Sequence, residues 1–165
     1  CHSDQALDLV HGIPQEARNI LASIPYQKNR AILHTDTNFL PANERCWAAW
    51  NYTAKSGSTP TTQKHVSVNY LINRLQPLPF QQAVVVSLNT LSPIAPKKIL
   101  GEYAYAHPVF DLPAIEAQAQ MPQLQGQQHT WFAGAWMGYG FHEDGFKAGR
   151  DAAQNLLTKS RMLNA

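Results

Sequence analysis

The stretch HVSVNYLI, residues 65–72, decides the fold class. Apolar and polar side chains alternate along it, and a period of two is that of a strand with one face against a core. Val66, Val68, Tyr70 and Ile72 are predicted to form the buried face. Upstream lies CWAAWNYTA, residues 46–54, which reads as a strand carrying Cys46, Ala48, Trp50 and Tyr52 on one side and Trp47, Ala49 and Asn51 on the other. The connector KSGSTPTTQK between them is rich in turn residues, so the two strands are expected to form a hairpin.

Further strands are predicted at NRAILHTD (29–36), AVVVSLN (83–89) and ILGEYAYAHPVF (99–110), with prolines ending any strand in the loop TLSPIAPKK. Helices flank them. Ser3 or Asp4 caps a first helix that stops before Gly12, and Pro14 opens a second whose stripe is Ala17, Ile20, Leu21 and Ile24. Asp111 caps LPAIEAQAQM, and PQLQGQQ follows as a turn. The order of elements predicts an α+β fold: a mainly antiparallel sheet of about five strands with flanking helices, closed by a C-terminal strand-turn-helix unit.

The 165 residues suit one domain or a piece of one, at 44% hydrophobic and 15% charged. A net charge of +2 without a basic block argues against nucleic acid as a partner. No apolar run reaches the roughly 20 residues of a membrane span. Cys1 and Cys46 form no CxxC pair and suggest reduced thiols in a cytoplasmic chain. The abrupt start at Cys1 suggests a fragment.

The last quarter, TWFAGAWMGYGFHEDGFKAGRDAAQNLL (130–157), reads as a short apolar strand, a glycine turn with an acidic pair, and a helix. The residues leave two readings open. A helix start presents unpaired amides and the positive end of the helix dipole, which with Gly138, Gly140 and Gly145 could hold a diphosphate. Alternatively, Glu143 and Asp144 cap an ordinary loop and Trp131, Phe132 and Trp136 are core. The chain has no G-x-G-x-x-G. His142, Glu143 and Asp144 lack metal-ligand spacing, and no metal is expected.

WFAGAW, the glycine turn and GFHEDGFKAGRDAA resemble the C-terminal FAD-binding motif of the flavin-containing amine oxidase superfamily. A closer likeness is to a bacterial branch of predicted NAD/FAD-binding proteins, carried by LHTD, LP, W-x-x-WNY, VSVNYLINRLQPL, HPVFD, AQ and GYGFHEDG in this order. The resemblance implies that residues 1–128 belong to a substrate domain whose sheet floors a ligand cavity, and residues 129–165 to an FAD-contacting unit. Gly134, Ala135, Trp136, Gly140, Phe141, His142, Glu143, Asp144 and Gly145 would contact FAD, and Tyr139 and Phe141 the substrate. Ala135 replaces the acidic residue, and Phe141 the tyrosine, that many members carry.

The implied activity is flavin-mediated two-electron oxidation of a small-molecule or lipid substrate, with amine oxidase, phytoene desaturase-like and fatty-acyl chemistries all represented in the superfamily. The N-terminal FAD-binding unit would be supplied by sequence upstream, and residues 1–165 alone would be inactive, hold FAD weakly and associate as a homodimer. A stand-alone, non-catalytic binding module is the alternative. No residue is assigned as a catalytic base. His34 in LHTD and His107 in HPVFD are expected to be structural rather than acid-base groups, and Lys97 and Lys98 to form a solvated tip.

Overall fold

The computed structural model describes residues 1–54 and 66–163, so the expected hairpin connector lies outside the described residues. The chain divides into two compact units: residues 1–27 with 107–165, and residues 28–106. Among the described residues no helix is long and apolar enough to cross a membrane.

The first unit is helical. Helix α1 (Ser3–Leu9) and helix α2 (Gln15–Ala22) open the chain, and Gly12 between them takes a φ of +76°, a region that suits glycine. The predicted stripe of α2 is the buried one: Ala17, Ile20 and Leu21, with Ile24 just beyond, meet Ala114, Ala117, Met121 and Leu124. The Asp111 carboxylate accepts from the amide of Ala114 at 3.0 Å, capping the helix carrying those residues. That helix runs through the expected turn at Pro122 and ends at Leu124, because Met121 and Leu124 each bury a side chain one turn apart. Phe132 and Trp136 complete the same core.

The second unit is a five-stranded sheet, in the order β2-β3-β4-β1-β5, made of β1 (Tyr26–His34), β2 (Trp50–Ala54), β3 (Val66–Leu71), β4 (Val85–Leu88) and β5 (Ile99–Pro108). The pairs β2–β3, β3–β4 and β4–β1 are antiparallel. Five helices and a five-stranded sheet give the α+β class that the element order predicts. Strand β2 starts later than expected because Glu44–Cys46 forms a 3-10 turn, with the side chain of Asn43 accepting from the amide of Arg45. The four-residue helix α3 (Ile72–Leu75) follows β3. Helices α4 (Leu112–Leu124) and α5 (His142–Leu163) belong to the first unit.

The register overturns the expected burial of HVSVNYLI. Asn51 pairs with Asn69, Asn69 with Ser87, and Ser87 with Ile32, so these residues share one face with Ser67, Leu71, Val85 and His34. All eight are buried. Leu40 packs here against Leu71 and Val85, flanked by Trp47 and Ala83. The opposite face carries Trp50, Tyr52, Val66, Val68, Tyr70, Val86 and Leu88, each exposed or half-buried. The predicted inward set, Val66, Val68 and Tyr70, therefore faces outward, and Ile72 has left the strand for α3. Alternation fixes which residues share a face but not which face is covered. Here hydrogen bonds make the polar side the inner one.

Candidate functional site

The expected strand at Thr130–Trp136 is not a strand. Its one ladder contact is an isolated bridge between Gln127 and Thr130, and its backbone is held by the side chains of Gln118 on α4 and of Gln125 just past the end of α4. The Gln125 amide accepts from the amide of Phe132 at 2.9 Å and donates to its carbonyl at 2.8 Å. Gln118 donates to the carbonyls of Trp136 and Gly138 at 2.9 and 2.7 Å. These two glutamines satisfy groups that a neighbouring strand would otherwise take up. Sequence reading passed over both, since a glutamine facing a loop from a helix has no periodic signature.

Ala135–Met137 form a 3-10 turn. Trp136 is buried, and its indole N–H donates to the carbonyl of Cys1 at 3.1 Å. The ring of this expected cofactor residue is thus core, while Gly134 and Ala135 stay half-buried. Trp131 is half-buried and donates to the side chain of Asn155 on α5 at 3.1 Å.

The glycine turn leads into α5. Gly140 has a φ of +88°. The Asp144 carboxylate turns back over the turn and accepts from the amides of Tyr139 and Phe141 at 3.1 and 3.0 Å. A Cβ on Gly138 would lie 2.6 Å from this carboxylate, so Gly138 leaves room for the acceptor. The amides of Asp144 and Gly145 donate to the carbonyl of Phe141. No described group accepts from the amides of His142 and Glu143, which lie at the positive end of a 22-residue helix. A Cβ on Gly145 would lie 3.7 Å from Ala135, so the helix start runs beside the 3-10 turn.

Around these amides the surface is aromatic. Tyr139, Phe141 and Phe146 are 68%, 59% and 67% exposed, and Tyr139 meets Phe110 edge to face with centroids 6.1 Å apart. His142 and Glu143 are exposed; Glu143 lies 3.6 Å from Lys147, a solvated pair that contributes little. Alongside, α4 and α5 border a groove of about 400 Å³ whose lining includes Pro122, Gln125, Met137, Gly138, Asp144 and Lys147. Among the described residues no three His, Cys, Asp or Glu side chains converge as a metal site.

The other singled-out residues lie in the sheet unit. His34 is fully buried; its Nδ1 accepts from the amide of Asp36 at 3.0 Å, and its Nε2 lies 2.8 Å from Ser87 Oγ. Ser87 gives its own proton to Asn69 Oδ1, and Asn69 Nδ2 donates to Thr53 Oγ1, so Nε2 carries the hydrogen and the ring is neutral. Burial pushes the His34 pKa down; Asp36 opposes this and Lys98 reinforces it. With both ring nitrogens engaged, His34 is a structural group. Burial acts to raise the Asp36 carboxyl, but hydrogen bonds from Lys98 and the Asn38 amide outweigh it and leave the pKa lowered. Lys98 is 2.9 Å from Asp36, so it is no solvated tip. Trp47 is half-buried and donates to the Pro41 carbonyl at 2.8 Å, whereas Trp50 and Tyr52 are on the outward face.

Comparison with known protein families finds no match, and comparison with curated proteins finds none either.

Proposed function

We propose that the chain is the C-terminal part of an FAD-dependent oxidoreductase of the amine oxidase type, acting in the cytoplasm on a small-molecule or lipid substrate. The observation that carries this reading is the start of α5. The amides of His142 and Glu143 have no described acceptor, while the Asp144 carboxylate is turned onto the amides of Tyr139 and Phe141. A diphosphate or another anionic part of a cofactor fits such a position, since the amides and the helix dipole both favour negative charge. The glycine turn supports close approach at Gly140, which carries no Cβ; Gly138 instead makes room for the Asp144 carboxylate.

FAD bound there would supply the acceptor for two electrons from a C–N or C–C bond and pass them to oxygen or another acceptor. The chain's own contribution is to bind, orient and exclude water. The amides of His142 and Glu143 hold the anionic part; Gly134, Ala135 and Gly145 keep the neighbouring backbone close. Tyr139 and Phe141 offer apolar walls for substrate. Phe141 has no hydroxyl, so it shapes the cavity without donating a hydrogen bond. The indole of Trp136 acts at one remove, by fixing the 3-10 turn.

Two experiments test this. Residues 1–165 titrated with FAD should bind it weakly or not at all, because the glycine fingerprint that grips the adenosine diphosphate is absent from this stretch. The polypeptide translated from the intact reading frame should carry a G-x-G-x-x-G segment ahead of Cys1 and purify with about one FAD per chain. Tight stoichiometric binding by residues 1–165, or a flavin-free native polypeptide, refutes the proposal.

A further inference from the structure

We propose that two copies of this chain pair antiparallel along β5, about a two-fold axis at Ala104, joining their sheets into one. This inference does not depend on the flavin reading. Strand β5 is an edge of the sheet, and no described residue pairs with its outer side. It is ten residues long, and its run Glu102–Tyr105 is exposed at every position, so both faces are open there. Edge strands are ordinarily protected by lysine, by an internal proline or by a bulge. Here the strand has no lysine, its proline is the last residue, and its one formal charge, Glu102, is 2.7 Å from Arg30 on the adjacent strand. The edge offers an unguarded row of backbone donors and acceptors.

The sequence of the edge says what fits it. Centring an antiparallel self-pair on Ala104 sets Tyr103 of each copy opposite Tyr105 of the other, and Glu102 opposite Ala106. Directly opposed aromatic pairs favour association, and like charges face to face oppose it. This register gives two of the former and none of the latter. The two copies of Glu102 stand about 13 Å apart, four residue steps along the strands. Tyr103 and Tyr105 are already ordered for it: their rings stack at 6.0 Å and 20°, and Tyr103 lies back over Gly101. That ring shields the one glycine in the strand, so the edge keeps its extended form. A strand of unrelated sequence would use the backbone row and leave the tyrosines unmatched.

The test uses the whole 165-residue chain. Light scattering over a concentration series should show a monomer–dimer equilibrium, and Ala104→Lys, which sets two ammonium groups opposite each other, should raise the dimer dissociation constant at least tenfold with an unchanged circular dichroism spectrum. In a Cys1→Ser, Cys46→Ser background, Ala104→Cys should cross-link between copies with a short thiol-specific reagent. Leu100→Cys should not, since the two copies of residue 100 lie about 27 Å apart in this register. A monomer at high concentration, a dimer unaffected by Ala104→Lys, or cross-linking at residue 100 in place of 104 would each overturn the proposal.

Discussion

A single imidazole ties the sheet unit to pH. The hydrogen bonds around His34 leave room for one proton on the ring: Nδ1 accepts from the Asp36 amide, and Ser87 has spent its own hydrogen on Asn69. A second proton, on Nδ1, would point at an N–H group. Burial holds the His34 pKa below its ordinary 6.5 in the folded state, while the unfolded chain keeps the ordinary value. Between the two the unfolded state binds more protons, so stability rises with pH through that window and is lost as pH falls below about 6.5. The Asp36 carboxyl, lowered from 3.8, titrates below this range. Urea midpoints at pH 7.5 and 5.5 should show the loss, and His34→Gln should flatten it while costing about 1–3 kcal/mol at neutral pH. At the glycine turn the corresponding residue is Asp144. Asp144→Ala strands the amides of Tyr139 and Phe141 and should cost about 1–2 kcal/mol by thermal melting, with Asp144→Asn in between.

The elements differ in how plainly they are written. Helix α2 was legible because Ala17, Ile20, Leu21 and Ile24 follow the helical period and all enter one core. Its centre is Leu21, with no exposed surface; Leu21→Ala should destabilise the chain by about 2–5 kcal/mol in chemical denaturation, whereas the exposed neighbour Ala22→Ser should change little. The cap at Asp111 and the strand positions of β1, β4 and β5 were also readable. The end of α4 was not: local propensity stops a helix at Pro122, but burial of Leu124 carries it on. The segment after Thr130 misled for a related reason. Apolar residues beside glycines read as a strand, and nothing local reveals that Gln118 and Gln125 would bind its backbone. Of the candidate site, the glycines and the Asp144 cap could be anticipated from residue type, while the inward turn of Trp136 depends on the distant carbonyl of Cys1.

For the sheet unit as a whole, the governing feature is that its polar face lies inside and its aromatic face outside. Among the described residues no buried side-chain polar atom lacks a partner, so the inner face carries no desolvation debt. Trp50 and Tyr70, edge to face at 5.2 Å, lie with Tyr52 on the open side. An apolar surface of this kind should take up an environment-sensitive dye, and Trp50→Ser with Tyr52→Ser should abolish that signal while moving the denaturation midpoint by no more than about 0.5 kcal/mol each. Directional bonds on the hidden side also govern how the strands line up: a slip by one residue would carry Asn69 and Ser87 into water and force indole and phenol rings into a space sized for small groups. Assembly instructions and an open aromatic surface are thus printed on opposite sides of the same strands. Selection can redraft the outward side for a new ligand with little penalty to folding, and a designer could exploit the same separation.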